Sequence, residues 1–294
     1  MRVTSVAVER PVVRAVGVSR AARRALLLLA VLGVLWGLWE GVRALGIHYG
    51  WTWPFTIDAT SMPHIHSMLE ALFKRPNPEA PLLVVTLLKA AAFTAREAAL
   101  GFAMGAVGGF ALGAILAHSR MLQRGFLPYV VASQTVPILA IAPMVVIWFT
   151  SVHVTAWISV AVIASYLTFF PVAIATLRGL QAADHRAVEL MRSYAANRWT
   201  VLWKLRFPTA LPYLFTALKV SATASIVGAI IGESPSSIAG GLGGAILNFA
   251  QYYSFQPQNL WATNLIAALL GIAFYLVVVG VEKLVVRRAP EHVA

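Results

Sequence analysis

Residues 98–117 read AALGFAMGAVGGFALGAILA, and the fold turns on them. The stretch carries no charged side chain over 20 residues. A helix of that length rises about 30 Å, the thickness of the hydrocarbon core of a bilayer. Inside lipid the backbone amides find no water, so a helix that satisfies them internally is the expected structure. Gly101, Gly105, Gly109 and Gly113 recur at every fourth position, with Gly108 beside them. That spacing aligns four missing side chains on one helix face, where a second backbone can approach closely. Glycine is frequent in membrane helices in any case; the strict register is what favours tight packing. Whether the neighbour belongs to the same chain or to another is open at this stage.

The rest of the chain has the same character. Of its 294 residues, 59% are hydrophobic and 12% charged, and the mean hydropathy is +0.76. A soluble domain of this size needs more polar surface. The chain is expected to be an all-α integral membrane protein of about six transmembrane helices. There are no cysteines, which excludes disulfides, iron–sulfur clusters and thiolate zinc sites.

Outward from the central stretch, residues 82–97 hold Lys89, Arg96 and Glu97, so an amphipathic, partly buried helix is expected ahead of the span. Further back lie a basic N-terminal segment, 1–24, a first apolar helix, 25–46, and a polar outer loop, 47–81, with one short helix at 65–73. The first helix also fits the basic and apolar regions of a cleaved signal peptide. No crisp small-residue cleavage site follows it, so a retained span is preferred. In the other direction, spans are expected at 127–149, 155–177, 212–231 and 260–286. The core domain covers 82–288, and a short tail covers 289–294.

The net charge of +12 would suggest nucleic acid on a soluble protein. Here it alternates with apolar blocks and reads as topology, with no nucleic-acid partner. Segments 1–24, 119–125, 178–211 and 283–294 carry six, two, six and three Lys/Arg, whereas 150–154 and 234–259 carry none. The positive-inside rule therefore places both termini and the loop 178–211 in the cytoplasm of a multi-pass inner-membrane protein.

That loop contains DHRAVELMRSYAANRW, residues 184–199. Asp184 suits an N-cap and Asn197 a second one. Ala187, Leu190, Met191 and Tyr194 fall on one helical face; Arg186, Glu189 and Arg192 fall on another. Two short amphipathic helices joined by a bend are expected, the second ending at Phe207-Pro208. A solvated loop lying on the lipid surface is an equally weighted reading of the pattern alone.

The spacing in this loop resembles the cytoplasmic signature of ATP-binding-cassette (ABC) importer permeases: Glu-Ala-Ala, three residues, Gly, nine residues, Ile, one residue, Leu-Pro. Glu189 takes the first position, Leu190 and Met191 stand for the alanines, and Ala195 stands for the glycine. Leu205 stands for the isoleucine and Phe207-Pro208 closes the motif. Alanine at the bend raises the question whether that position has positive φ, where glycine is the unstrained choice. Outside the loop, QTVPILAIAP (134–143), RFPTALPYLFTALK (206–219) and GAIIGE (228–233) resemble the nitrate/sulfonate/taurine/bicarbonate-type permeases.

The resemblance implies a type I importer-like fold and a pair of permease subunits, a homodimer by expectation, forming the pathway in the lipid membrane. It also implies cytoplasmic ABC ATPase subunits docked on Glu189, Leu190, Met191, Arg192, Tyr194 and Ala195, and an extracytoplasmic substrate-binding protein. Substrates in that family include nitrate-, sulfonate- and bicarbonate-like anions and vitamin or pyrimidine precursors.

Polar residues within spans are candidates for the pathway: Gln134, Ser165 and Ser221. Serine can bond its own helix backbone, so Gln134 is the leading one. Glu233 is a candidate gate at the outer end of its span, with a solvated helix end as the plain alternative. Lys219 is expected to snorkel to the cytoplasm. Gly240-Gly241-Leu242-Gly243-Gly244 lacks the Gly-Lys-Ser/Thr ending of a phosphate loop, so the chain is expected to be no enzyme. His64 and His66 show no third ligand in sequence, and no metal or cofactor is expected. Secondary transporters and channels remain the alternative class, marked by ion-coupling charges or inverted repeats. A membrane enzyme would need clustered acids, and the eleven here are scattered.

Overall fold

A computed structural model describes residues 20–53, 56–58, 60–234 and 240–286. The basic stretch 1–19, residues 235–239 and the end 287–294, including the tail expected at 289–294, lie outside the described residues. The chain divides into two compact units, Met1–Ile65 and His66–Ala294.

In the first unit, α1 runs over Arg20–His48. Its Leu26–Leu29 and Val31–Leu35 faces are exposed apolar surface, the condition of a helix meant for lipid. Its later turns hold the following loop. Trp39 Nε1 donates to Pro63 O at 3.1 Å and Arg43 Nε to Met62 O at 2.8 Å. Glu40 pairs with His64 Nδ1 at 2.8 Å. Within the loop, Asp58 accepts the Ser61 amide at 2.7 Å and the Thr60 hydroxyl at 2.8 Å. These donors hold its carboxyl below the usual carboxylate range, the Ser61 amide foremost.

The second unit begins with α2, Ile65–Leu72, followed by α3, Leu83–His118. This α3 is one unbroken helix, in which the partly buried amphipathic part expected at 82–97 runs straight into the apolar span. Its charges are accommodated individually: Lys89 is exposed, Arg96 stacks on the Trp157 ring at 4.2 Å, and Glu97 is buried.

The single straight span expected at 127–149 is a bent pair instead. Helix α4, Arg120–Ser133, and α5, Ile138–Ser151, meet at 94°. Pro137 lacks an N–H and disfavours helical backbone at Val136, so the ladder breaks there. Pro143 and Pro128 sit inside their helices without such a bend.

Helix α6, Ala156–Gln181, packs along both α3 and the later helix α9, Phe207–Glu233. The loop after it holds α7, His185–Ser193, and α8, Arg198–Val201. A π-turn over Leu202–Arg206 then leads into α9, Phe207–Glu233. The second loop helix therefore does not end at Phe207-Pro208. In the widened turn the Phe207 N–H reaches back to Leu202 O, making room for a proline ring where a regular ladder would demand a donor. Pro212 likewise lies inside α9 rather than at its first turn.

The segment 234–259 contains α10, Leu242–Gln251. Helix α11, Pro257–Val285, completes the chain. Among the described residues, five helices are long and apolar enough to cross a membrane, or six if the bent pair is one span. The core of the second unit lies between α3, α6 and α9, where Ala98, Val160, Ala164, Ile226 and Ala229 are buried together.

Candidate functional site

The loop between α6 and α9 is built from local rules. The Asp184 carboxylate accepts the Arg186 N–H at 3.0 Å and starts α7. His185 and Glu189 lie one turn apart, 3.3 Å between their side chains. The helix stops in a Schellman arrangement: Ala196 N donates to Met191 O at 3.0 Å and Ala195 N to Arg192 O at 2.9 Å. This closure requires a left-handed residue, and Ala195 supplies it at φ +55°. Glycine occupies such a position without strain, so alanine carries a conformational cost of about 1 kcal/mol. Asn197 then caps α8 by accepting the Thr200 N–H at 2.7 Å.

The inward face of α7 differs from the expected one. Val188 is its buried residue, with Ala187 and Met191 half-buried. Leu190 and Tyr194, expected on the same apolar face, point outward at 58% and 79% exposure. Glu189, Arg192 and Arg186 are exposed as well. Trp199 and Trp203, one turn apart on the next helical stretch, are exposed at 69% and 57%. Sequence reasoning missed these two aromatics because indoles beside basic residues look like ordinary interfacial anchors. A short helix rigidly capped at both ends thus carries large apolar side chains with nothing over them.

The glycines of α3 face α6. A Cβ added at Gly101 would stand 2.5 Å from Ala161 O, and one at Gly105 2.5 Å from Ser165 O. At Gly109 and Gly113 it would overlap Phe169 O and Ala173 O. The four glycines meet four carbonyls that also recur every fourth residue, so two backbones of the same chain lie against each other.

The polar residues named for a pathway occupy four different settings. Gln134 is exposed at the bend between α4 and α5. Nearby, the Tyr166 hydroxyl donates to Ser133 O across the bend. Ser165 donates to Val162 O of its own helix at 2.7 Å. Ser221 is buried and donates to Thr168 O at 3.3 Å. Glu233 is fully buried rather than a solvated helix end. Its Oε1 accepts the Thr94 hydroxyl at 2.6 Å and its Oε2 accepts the Gly243 N–H at 2.5 Å. Thr94 also accepts the Leu242 N–H at 2.9 Å. Glu233 therefore fastens the first turn of α10 to α3 and α9. A side chain at Gly241 or Gly243 would collide with it. Glu97, also fully buried, lies beside it; its partnership across 136 positions of sequence left no local signal. Lys219 does not snorkel freely but pairs with Glu282 of α11 at 3.0 Å.

Residues 109–289 match the family model described as "Binding-protein-dependent transport system inner membrane component". The chain is 30% identical over 172 residues to the riboflavin transport system permease protein RibX of Chloroflexus aurantiacus. That match covers 58% of this chain and 61% of the relative, less than two thirds of its length. It is 29% identical over 185 residues to the formylaminopyrimidine transport permease protein ThiX of Halalkalibacterium halodurans, covering 63% of this chain and 71% of that one. The taurine transport system permease protein TauC of Escherichia coli is 33% identical over 99 residues, 33% of this chain and 34% of the relative.

Proposed function

The chain belongs to the family of binding-protein-dependent transport system inner membrane components, and from that premise we propose that it forms, as a pair, the solute pathway of an ATP-driven importer. The segment 184–200 docks a separate cytoplasmic ATPase, and an extracytoplasmic binding protein delivers the solute. Both termini face the cytoplasm. The solute is a small anion or a vitamin or pyrimidine precursor, as the names of the relatives suggest. The chain itself hydrolyses no ATP.

One observation carries the reading. Helix α7 is capped by Asp184, closed by a Schellman turn, and leaves Leu190 and Tyr194 bare. Exposed apolar side chains on a rigid element are what a groove in a partner buries. The bent α4–α5 pair and the serines, bonded to backbone carbonyls, lend no comparable support to a fixed ion-coupling site. Leu190 and Tyr194 would enter the groove, with Glu189 at its rim; Met191 is half-buried on the inward face and Arg192 lies towards a cavity behind it.

The test is co-expression of the chain with its cognate ATPase, reading co-purification and substrate-stimulated hydrolysis. The wild-type pair is expected to co-purify and the Leu190→Asp/Tyr194→Asp variant to insert normally but lose the ATPase. Retention of full coupling by that variant rules the docking role out. Because the chain lacks cysteine, Ser193→Cys is expected to label only from the cytoplasm and Ser254→Cys only from outside. Exterior labelling of Ser193→Cys overturns the orientation.

A further inference from the structure

Behind the coupling helix lies a cavity of about 1380 Å³. Arg120 and Arg124 of α4 form one wall; His185 and Arg192 of α7 form the other. His118 at the end of α3 and Arg206 at the head of α9 close it. A smaller cavity of about 340 Å³ shares His118, Arg192 and Arg206 and adds Arg198. No aspartate or glutamate lines either cavity among the described residues. The arginines of the larger cavity take part in none of the ion pairs described.

Arginines are expected on the inner side of a membrane protein. Their convergence on one concavity without a compensating acid is not. A cleft lined by one sign of charge focuses its field and concentrates counter-ions. The guanidinium fork matches the paired oxygens of phosphate and sulfate groups. The frame is also fixed. Gln181 Nε2 donates to Gln123 Oε1 at 2.9 Å and ties α6 to α4 at the cavity. His118 Nδ1 donates to Ala114 O at 2.7 Å, which fixes the ring at the edge of the cavity.

We propose that this cavity is an anion site for a tetrahedral oxyanion group of the phosphate or sulfate type, carried either by a lipid headgroup or by a soluble ion. Bound there, the anion bridges the α4 wall to the inward face of α7. The coupling helix is then held between an anion on one side and the ATPase on the other. Basic pockets between membrane helices on the cytoplasmic side take lipid headgroups by the same chemistry.

The experiment uses the full chain, purified without any ATPase, so failure of the coupling reading would leave it interpretable. Arg120→Gln/Arg124→Gln removes charge from one wall and Arg192→Gln from the other. Lys204→Gln removes one charge, as Arg192→Gln does, from the same loop but outside the cavity, and Arg186→Gln/Lys204→Gln matches the two charges removed from α4. Inorganic sulfate is titrated against chloride at constant ionic strength, in nanodiscs of phosphatidylcholine with or without phosphatidylglycerol. Bound lipid is read by native mass spectrometry. Wild type and these two controls are expected to bind equally, and both cavity variants to bind about tenfold more weakly, a difference of about 1.4 kcal/mol. Phosphatidylglycerol that is retained and excludes sulfate identifies the lipid as the source. Sulfate binding that ignores phosphatidylglycerol identifies a soluble anion. If neither ligand distinguishes the cavity variants from their controls, the site does not exist. Loss in only one wall's variant also overturns the bridging arrangement.

Discussion

The seam between α3 and α6 and the loop from α7 to the π-turn are both short-period patterns, yet they serve opposite ends. In the seam, four glycines meet four carbonyls and nothing can move without a backbone moving. In the loop, the order is local: an Asp cap, a Schellman turn, an Asn cap. Its largest side chains, Leu190, Tyr194, Trp199 and Trp203, are left uncovered. Membrane helices have no hydrophobic drive to associate inside lipid, so the seam gains its stability from close van der Waals approach. On the docking reading proposed above the loop stands in water, where the same apolar area is a drive to bind something else. Rigidity in one region and adhesion in the other follow from the solvent each was built for.

The seam is the easier half of this comparison to break. Gly109→Leu places a branched side chain where even a Cβ overlaps Phe169 O. The cost is expected near about 3 kcal/mol, the upper end for overpacking, because a backbone must yield. Membrane accumulation should collapse, as read by size-exclusion of solubilised membranes. Ala103→Leu, on an exposed face of α3, should accumulate normally. Equal yields would mean the two helices are not in contact there.

In the loop, a single Leu190→Asp change is expected to weaken ATPase docking by about 2 kcal/mol, roughly thirtyfold. Glu189→Arg should weaken it less, about tenfold or under, since a rim charge remains solvated. Both should leave accumulation untouched. A larger effect from the charge than from the leucine would make the loop a polar docking surface rather than an apolar one.

The joint between α9 and α11 lies between these extremes. Lys219 and Glu282 are each about a quarter exposed (22% and 24%). Lys219→Met leaves the carboxylate without its partner and is expected to cost about 1–2 kcal/mol, less than for a fully buried pair. The double variant Lys219→Met/Glu282→Met should recover most of that loss in a thermal unfolding assay. A double variant as weak as the single one would show that packing, not charge, holds the joint.

The smallest effect is expected at the loop's own strained residue. Ala195→Gly relieves a left-handed alanine and should stabilise by about 1 kcal/mol. That is a rise of about 2 °C in the unfolding temperature of a chain this size. Docking should be unchanged or slightly tighter. No gain at all would place the relaxed form of the bend elsewhere than φ +55°.

Sequence alone determined the features that depend on neighbours along the chain. Apolar blocks of bilayer length, the caps at Asp184 and Asn197, and the spacing from Glu189 to Pro208 are all local. Proline was legible only in part: the break at Pro137 and the passage of Pro208 through a widened turn share the same missing N–H. Which outcome occurs depends on the room left by packed helices. Tertiary structure alone decided which backbone the glycines meet, and which face of α7 is covered. It also decided that Thr94, Glu97 and Glu233 share one buried pocket, and that arginines from three separate segments line one cavity. Those arrangements join residues far apart in the chain. Close packing and electrostatic interaction depend on distance in space and leave no period in the sequence.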